Sequence, residues 1–307
     1  MARIVHGNHP FNVPKDQPMR IGREQVGYFT YPDIEFLGSS DLNTLFISTD
    51  KLTLGYYELA PGAQFSPADH HPGDECYFLL EGELTEVNCF SGQACTLKAG
   101  ESILIPHGAA HGGYNFSNNK MKAVFALAPN MVKPGTQTFP TDLAGKWRVI
   151  GGGSQEGQGL YEGHSAYEQP RYLGTIDRLG SWPVADEEHR KEPKYLRVAH
   201  EEDKLSIVNG YDNPYLMKFS FSTQYIHFGE IILPRGGNFC RISDPEKHQG
   251  QTAIYVNSGY LSVIITETRE TFKIHPNEVM YIPENCEYQM MNYEAEQVHA
   301  IFAMSAL

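Results

Sequence analysis

GESILIPHGAAHGGYN, residues 100–115, decides how this chain reads. Gly100 marks a turn. A short apolar run follows, then Pro106, a second turn at Gly108, and two polar landmarks, His111 and Asn115. Apolar runs of this length, bounded by Gly and Pro, are strand signals. A companion stretch lies upstream. ADHHPGDECYFLLEG, residues 68–82, sets His70 and His71 among Asp69, Asp74 and Glu75, then turns apolar up to Gly82. In a strand, residues i and i+2 face the same side. Asp69, His71, Glu75, Tyr77 and Leu79 therefore share one face, and His70 points the other way unless the His-Pro-Gly turn shifts the register. Imidazole and carboxylate donors on one face, with His111 brought in from the next stretch, suit a divalent first-row metal: Fe, Mn, Zn, Ni or Cu.

Outward from these stretches, short runs rich in Val, Ile, Tyr, Phe and Thr alternate with Gly, Pro, Asn and Asp breaks, and no long helical period competes with them. That pattern predicts an all-β sandwich or barrel. The pattern then repeats. His71 and His248, Gly82 and Gly259, Pro106 and Pro283, and Asn115 and Asn292 are all 177 positions apart. Two copies of one β domain explain a fixed offset across several landmarks. The expected layout is an N-terminal arm at 1–40, a first barrel at 41–130, a linker and peripheral segment at 131–204, and a second barrel at 205–307. In the linker, GGGSQEGQG at 151–159 reads as a flexible loop. It lacks the Lys-Ser/Thr of a phosphate loop. ADEEHRKEPK at 185–194 reads as a solvated face.

Residues 100–115 resemble the second motif of the cupin superfamily, G-x5-P-x-G-x2-H-x3-N, at every position: Gly100, Pro106, Gly108, His111 and Asn115. Residues 68–82 resemble the first cupin motif at His71, Glu75 and Gly82, and Gly62 fits one residue early. Asp69 stands where that motif has its first histidine. The resemblance implies two tandem cupin barrels of the jelly-roll (double-stranded β-helix) type, a bicupin similar in outline to quercetin and gentisate dioxygenases, with a metal between the sheets of the first barrel. It implies His71, Glu75 and His111 as ligands. Asp69 is a fourth ligand, a catalytic base or an orienter of His71; His70 is an alternative ligand should the register shift. Glu75 is also a candidate for proton chemistry. In the second copy Glu75 becomes Thr252 and His111 becomes Tyr288, with Glu246 opposite Asp69. That barrel is expected to be metal-free and to cover the apolar outer face of the first, while His248, Tyr288 and Arg241 mark a candidate second pocket.

Three functions fit. A non-haem dioxygenase uses the two-histidine, one-carboxylate set. A redox-neutral isomerase, epimerase or lyase on a sugar or keto acid uses the metal as a Lewis acid with a carboxylate moving the proton. A non-enzymatic cupin binds a small molecule. Lys120 and Lys122, just past the second motif, are the nearest candidates to grip an anion. The formal net charge of −13 and the absence of a Lys/Arg run exclude a nucleic-acid footprint. No apolar run has the length of a membrane span, and the first residues lack a secretory leader. The five cysteines, an odd number with no C-x-x-C, read as free thiols in a reducing compartment. The expected partner is a small-molecule substrate, in the cytoplasm, with a homodimer left open through the N-terminal arm.

Overall fold

In the computed structural model, the residues described are 3–6, 16–30, 41–64, 71, 73–88, 92–107, 109, 111–129, 195–209, 214–237 and 245–306. They are nearly all strand. The first repeat forms β1 (Arg3–His6), β2 (Met19–Ile21), β3 (Gly27–Thr30), β4 (Asp41–Ser48), β5 (Thr53–Leu59), β6 (Asp74–Glu81), β7 (Glu83–Asn88), β8 (Ala94–Lys98), β9 (Ser102–Ile105), β10 (His111–Tyr114) and β11 (Met121–Ala128). The second forms β12 (Arg197–Ala199), β13 (Leu205–Asn209), β14 (Tyr215–Ser222), β15 (Ile226–Leu233), β16 (Glu246–Lys247), β17 (Thr252–Ser258), β18 (Leu261–Ile265), β19 (Thr271–Ile274), β20 (Val279–Ile282), β21 (Glu287–Met291) and β22 (Val298–Ser305). Among the described residues no helix is long and apolar enough to cross a membrane. The glycine-rich loop at 151–159 and the charge run at 185–194 lie outside them.

Each half lays a large antiparallel sheet over a small one. The large sheets run β1-β3-β4-β5-β11-β6-β9-β12 and β13-β14-β15-β22-β17-β20-β2; the small ones run β10-β7-β8 and β16-β21-β18-β19. Strand parity explains the packing. On β6, Tyr77 and Leu79 point into the first barrel with Leu45, Tyr57 and Phe125. Cys76 and Phe78 point the other way, into a core shared with Phe228, Tyr255, Ile301 and Ala303 of the second barrel. The two large sheets thus lie back to back, and this is why both parities of this strand are apolar. Fully burying a side chain such as Phe78 contributes roughly 1.5–3 kcal/mol, so this shared layer is a core in its own right.

The repeat is close to exact in structure. β9 and β20, and β11 and β22, occupy positions 177 apart to the residue. Upstream, β4 and β14 are 174 apart. The three extra residues of the second copy therefore fall between Gly236 and His248, the counterpart of the segment between Gly62 and His71. One substitution that looks like decay in the sequence preserves the backbone instead: Asn277 (φ 64°) replaces Gly100 (φ 93°). Asparagine is the side chain that best tolerates this left-handed region, so the turn survives without glycine. Asn285 is likewise left-handed, at φ 58°.

The segments that precede each barrel are exchanged. β2 and β12 lead into short 3-10 turns, Arg23–Gln25 and Glu201–Asp203. Each turn is closed on its first residue, by Gln25 accepting from the Gly22 N–H at 2.9 Å and by Asp203 accepting from the His200 N–H at 3.0 Å. Yet β2 pairs with β20 of the second barrel, Met19 opposite Tyr281, and β12 pairs with β9 of the first, Arg197 opposite Leu104. The N-terminal segment is therefore part of both barrels.

Candidate metal centre

His71 sits just ahead of β6, Glu75 near its start, and His111 opens β10. The antiparallel pairing of Glu75 with Ile105 on β9 carries the chain from Glu75 through Pro106 and His107 toward His111. The main-chain N–H of His107 donates to Asp74 Oδ1 at 2.9 Å, which ties this turn to β6. The outcome is a buried triad: His71 is 4% exposed, Glu75 3% and His111 0%. Glu75 Oε2 lies 3.2 Å from His71 Nε2 and 3.1 Å from His111 Nε2. One donor atom from each residue falls within 4.8 Å of the others, and among the described residues this is the group with the spacing to hold a metal ion.

The donors also have the right chemistry. His111 Nδ1 is 3.2 Å from the Ala109 carbonyl, which only accepts, so Nδ1 carries the hydrogen and the Nε2 lone pair faces the triad. The Tyr77 hydroxyl approaches the same Nε2 at 3.3 Å. Glu75 Oε2 is buried and finds no partner in hydrogen-bonding geometry, although both imidazoles are near. A buried carboxylate oxygen without such a bond is costly, and a cation is the group that best compensates it. Burial pushes the Glu75 carboxyl up, but when the His71 and His111 rings carry a second proton their charge and contacts outweigh it and hold the group at about 2. It is therefore ionised at any physiological pH, which suits a ligand and not a proton donor.

A second carboxyl stands one pleat away. β7 carries Leu84, Glu86 and Asn88 on its buried face, and Gly113 pairs with Glu86 as His111 pairs with Asn88. Tyr57 donates to Glu86 Oε1 at 3.1 Å. A side chain at position 113 would meet the same oxygen at 2.6 Å, so Glu86 would have to move from its place. Burial raises Glu86 to about 7, against the lowering charge of His111 and with help from the negative charge of Glu75. The sequence reading did not single out Glu86. Its signal was the parity shared with Leu84 in ELTEVN.

Of the other sequence candidates, Asp69, His70 and Arg241 lie outside the described residues, as does Gly108. Lys120 and Lys122 are not anion grips. Lys120 is paired with Glu58 at 2.8 Å. Lys122 is held between the barrels by Asn277 Oδ1 at 3.0 Å and the Tyr255 hydroxyl at 3.3 Å, with its ammonium 4.3 Å from the Tyr56 ring centre. Tyr288 is buried in the second barrel's interior, and His248 lies nearer its mouth. Cys76, Cys95 and Cys286 are free thiols; Cys89 and Cys240 lie outside the described residues.

The structure is thus two back-to-back jelly rolls with a His-Glu-His group inside one. Residues 55–127 match the cupin domain family. Nectarin-1 from Nicotiana plumbaginifolia is 33% identical over 109 residues, which span 34% of this chain and 44% of that protein. The match thus covers less than half the length of this relative. The fold is similar to AerE from Microcystis aeruginosa (TM-score 0.54, 12% identity, 95% of this chain and 98% of that one). It is also similar to a mutant of the oxalate decarboxylase OxdC from Bacillus subtilis (TM-score 0.56, 12% identity, 95% and 79%).

Proposed function

We propose that the first barrel is the centre of a metal-dependent enzyme, a non-haem dioxygenase acting on a small organic substrate, with His71, Glu75 and His111 holding one divalent iron. The observation that carries this reading is the convergence of Glu75 Oε2 with two imidazole Nε2 atoms in a buried site. Two histidines and one carboxylate leave coordination positions open, the arrangement non-haem iron oxygenases use. Iron bound there would supply the redox chemistry with dioxygen. The chain's own contribution is positioning and exclusion. The Ala109 carbonyl fixes the His111 tautomer, Glu75 brings the compensating negative charge, and the edge-to-face pair Tyr57–Tyr77, centres 5.2 Å apart, keeps water from one side. Asp69 is proposed as a fourth ligand, a catalytic base or an orienter of His71.

A second reading is a redox-neutral lyase or isomerase. Glu86 favours it, because a second buried carboxyl stands one pleat from the triad, and burial makes it a better proton carrier than an exposed glutamate. The likeness of fold to oxalate decarboxylases from Lactobacillus farciminis and Bacillus subtilis is in keeping with it. Metal analysis of protein purified without chelator, joined to oxygen-electrode assays on catechols, flavonols, keto acids and dicarboxylates, tests both. Iron near one per chain with substrate-dependent oxygen uptake supports the dioxygenase. Turnover without oxygen consumption, with manganese or zinc bound, supports the lyase. Absence of any metal overturns both.

A further inference from the structure

A cavity opens at the mouth of the second barrel, beside His248. It has a volume of about 640 Å³, within the usual range for small-molecule sites. Its apolar wall is built from cross-strand pairs on β13 and β14, Leu205 with Phe219 and Ile207 with Met217. Its polar end is built from β15 and β16: His227, His248 and Glu246. His248 is the counterpart of His71 at the 177 offset. The other two ligand positions hold Thr252, whose buried hydroxyl has no hydrogen-bond partner, and Tyr288. Thr252 shares its strand face with Ile254 and Val256, which line the barrel interior. Thr252 and Tyr288 lie in the buried interior, and His248 is the one of the three positions that lines the cavity.

The polar end accepts more than it donates. His248 Nε2 lies 3.0 Å from the Ser305 carbonyl, so it donates there, and a neutral ring then presents an Nδ1 lone pair. His227 lines the cavity and shares a 2.8 Å bond between Nδ1 and Ser222 Oγ, which leaves Nε2 outside that bond; burial, aided by the charge of His248, lowers its pKa and so favours the neutral ring. The two rings meet edge to face at 5.9 Å. Among the described residues, no lysine or arginine lines the cavity. Among the described residues an anion would meet two carboxylates, Asp203 and Glu246, and no counter-charge. At the rim, Leu205 is 62% exposed and Ile207 39%; apolar groups left in water at a cavity mouth are what an apolar ligand would cover.

We infer that the mouth of the second barrel is a metal-independent binding site for a small, uncharged, hydroxyl-bearing aromatic molecule, its ring against the Leu205–Phe219 and Ile207–Met217 wall and its hydroxyl donating to His248 or His227. The probe is 4-ethylphenol, titrated by calorimetry into the full chain, with 4-ethylbenzoate as the anionic control. Saturable binding of the phenol, at least tenfold tighter than the benzoate, is expected in untreated protein. It is expected equally in the His111→Ala variant, which separates this site from the first barrel. His248→Ala and the rim variant Ile207→Trp should each weaken phenol binding at least tenfold; the exposed position of Ile207 makes its variant the safer one for folding. No saturable binding overturns the inference. So does equal affinity for the benzoate, indifference to both variants, or loss of binding in His111→Ala.

Discussion

Asn115 and Asn292, 177 positions apart, perform the same task in the two barrels. Each side-chain amide donates to the end of the preceding long strand, Leu59 O or Leu233 O, both at 3.1 Å. Each also donates to the carbonyl four residues on, Asn119 or Glu296, both at 2.7 Å. Their own main chains close on the turns at Gly62–Ala63 and Gly236–Gly237. The motif asparagine is thus a structural staple, present whether or not its barrel carries metal ligands. Asn292→Ala should cost about 1–3 kcal/mol in denaturant unfolding, because it leaves buried carbonyls unpaired. Metal content should not change with it.

His111→Ala should lower metal affinity by roughly 100-fold or more, since removing a ligand exceeds the 10–100-fold cost of losing a group that merely supports one. Metal analysis after dialysis reads the effect. Full occupancy in this variant would remove His111 from the ligand set.

His248→Ala should leave metal stoichiometry where it was, because its barrel offers Thr252 and Tyr288 in place of Glu75 and His111. Metal loss in this variant would mean that the metal sits in the other barrel.

In metal-free protein the two interior carboxyls pull stability in opposite directions with pH. Glu75, lowered from 4.5 to about 2, stabilises the fold above 4.5, and that contribution disappears as pH falls through 2. Glu86, raised from 4.5 to about 7, keeps a proton that the unfolded chain releases, so its cost grows as pH rises from 4.5 to 7 and stays above that. The full cost is on the order of 3 kcal/mol. Glu86→Gln should therefore gain stability over the parent at pH 8 by more than at pH 5. A constant difference between the two pH values in chemical denaturation would show that Glu86 does not titrate in this window.

Deleting residues 1–22 removes β2 from the edge of β20. Amide hydrogen exchange at Val279–Ile282, in the distant second barrel, should then speed up. Unchanged protection there would contradict the exchange of strands.

His71, Glu75 and His111 were legible because strand parity and motif spacing are local properties, and the fold places the three as the spacing implies. The second barrel was legible through landmarks that turn geometry demands, Gly82 and Gly259 at φ 76° and 75°. Glu86 was not, because a single glutamate in an alternating strand ordinarily faces water, and only Tyr57 and Gly113 give it an interior place. Nor was the crossing of β2 and β12. Which sheet edge a three-residue strand joins depends on where two barrels meet, and Met-Arg-Ile and Arg-Val-Ala carry no mark of it.

That crossing interlocks the two halves. A chain cut within residues 130–194 would give two pieces that each carry one strand of the other's sheet, as in a split protein. They should hold together after the cut, and halves produced separately should reassemble on mixing. β12 borders β9, and β9 borders the strand that bears Glu75. Reassembly would thus complete the sheet around the metal-binding triad with a segment of the half that lacks it.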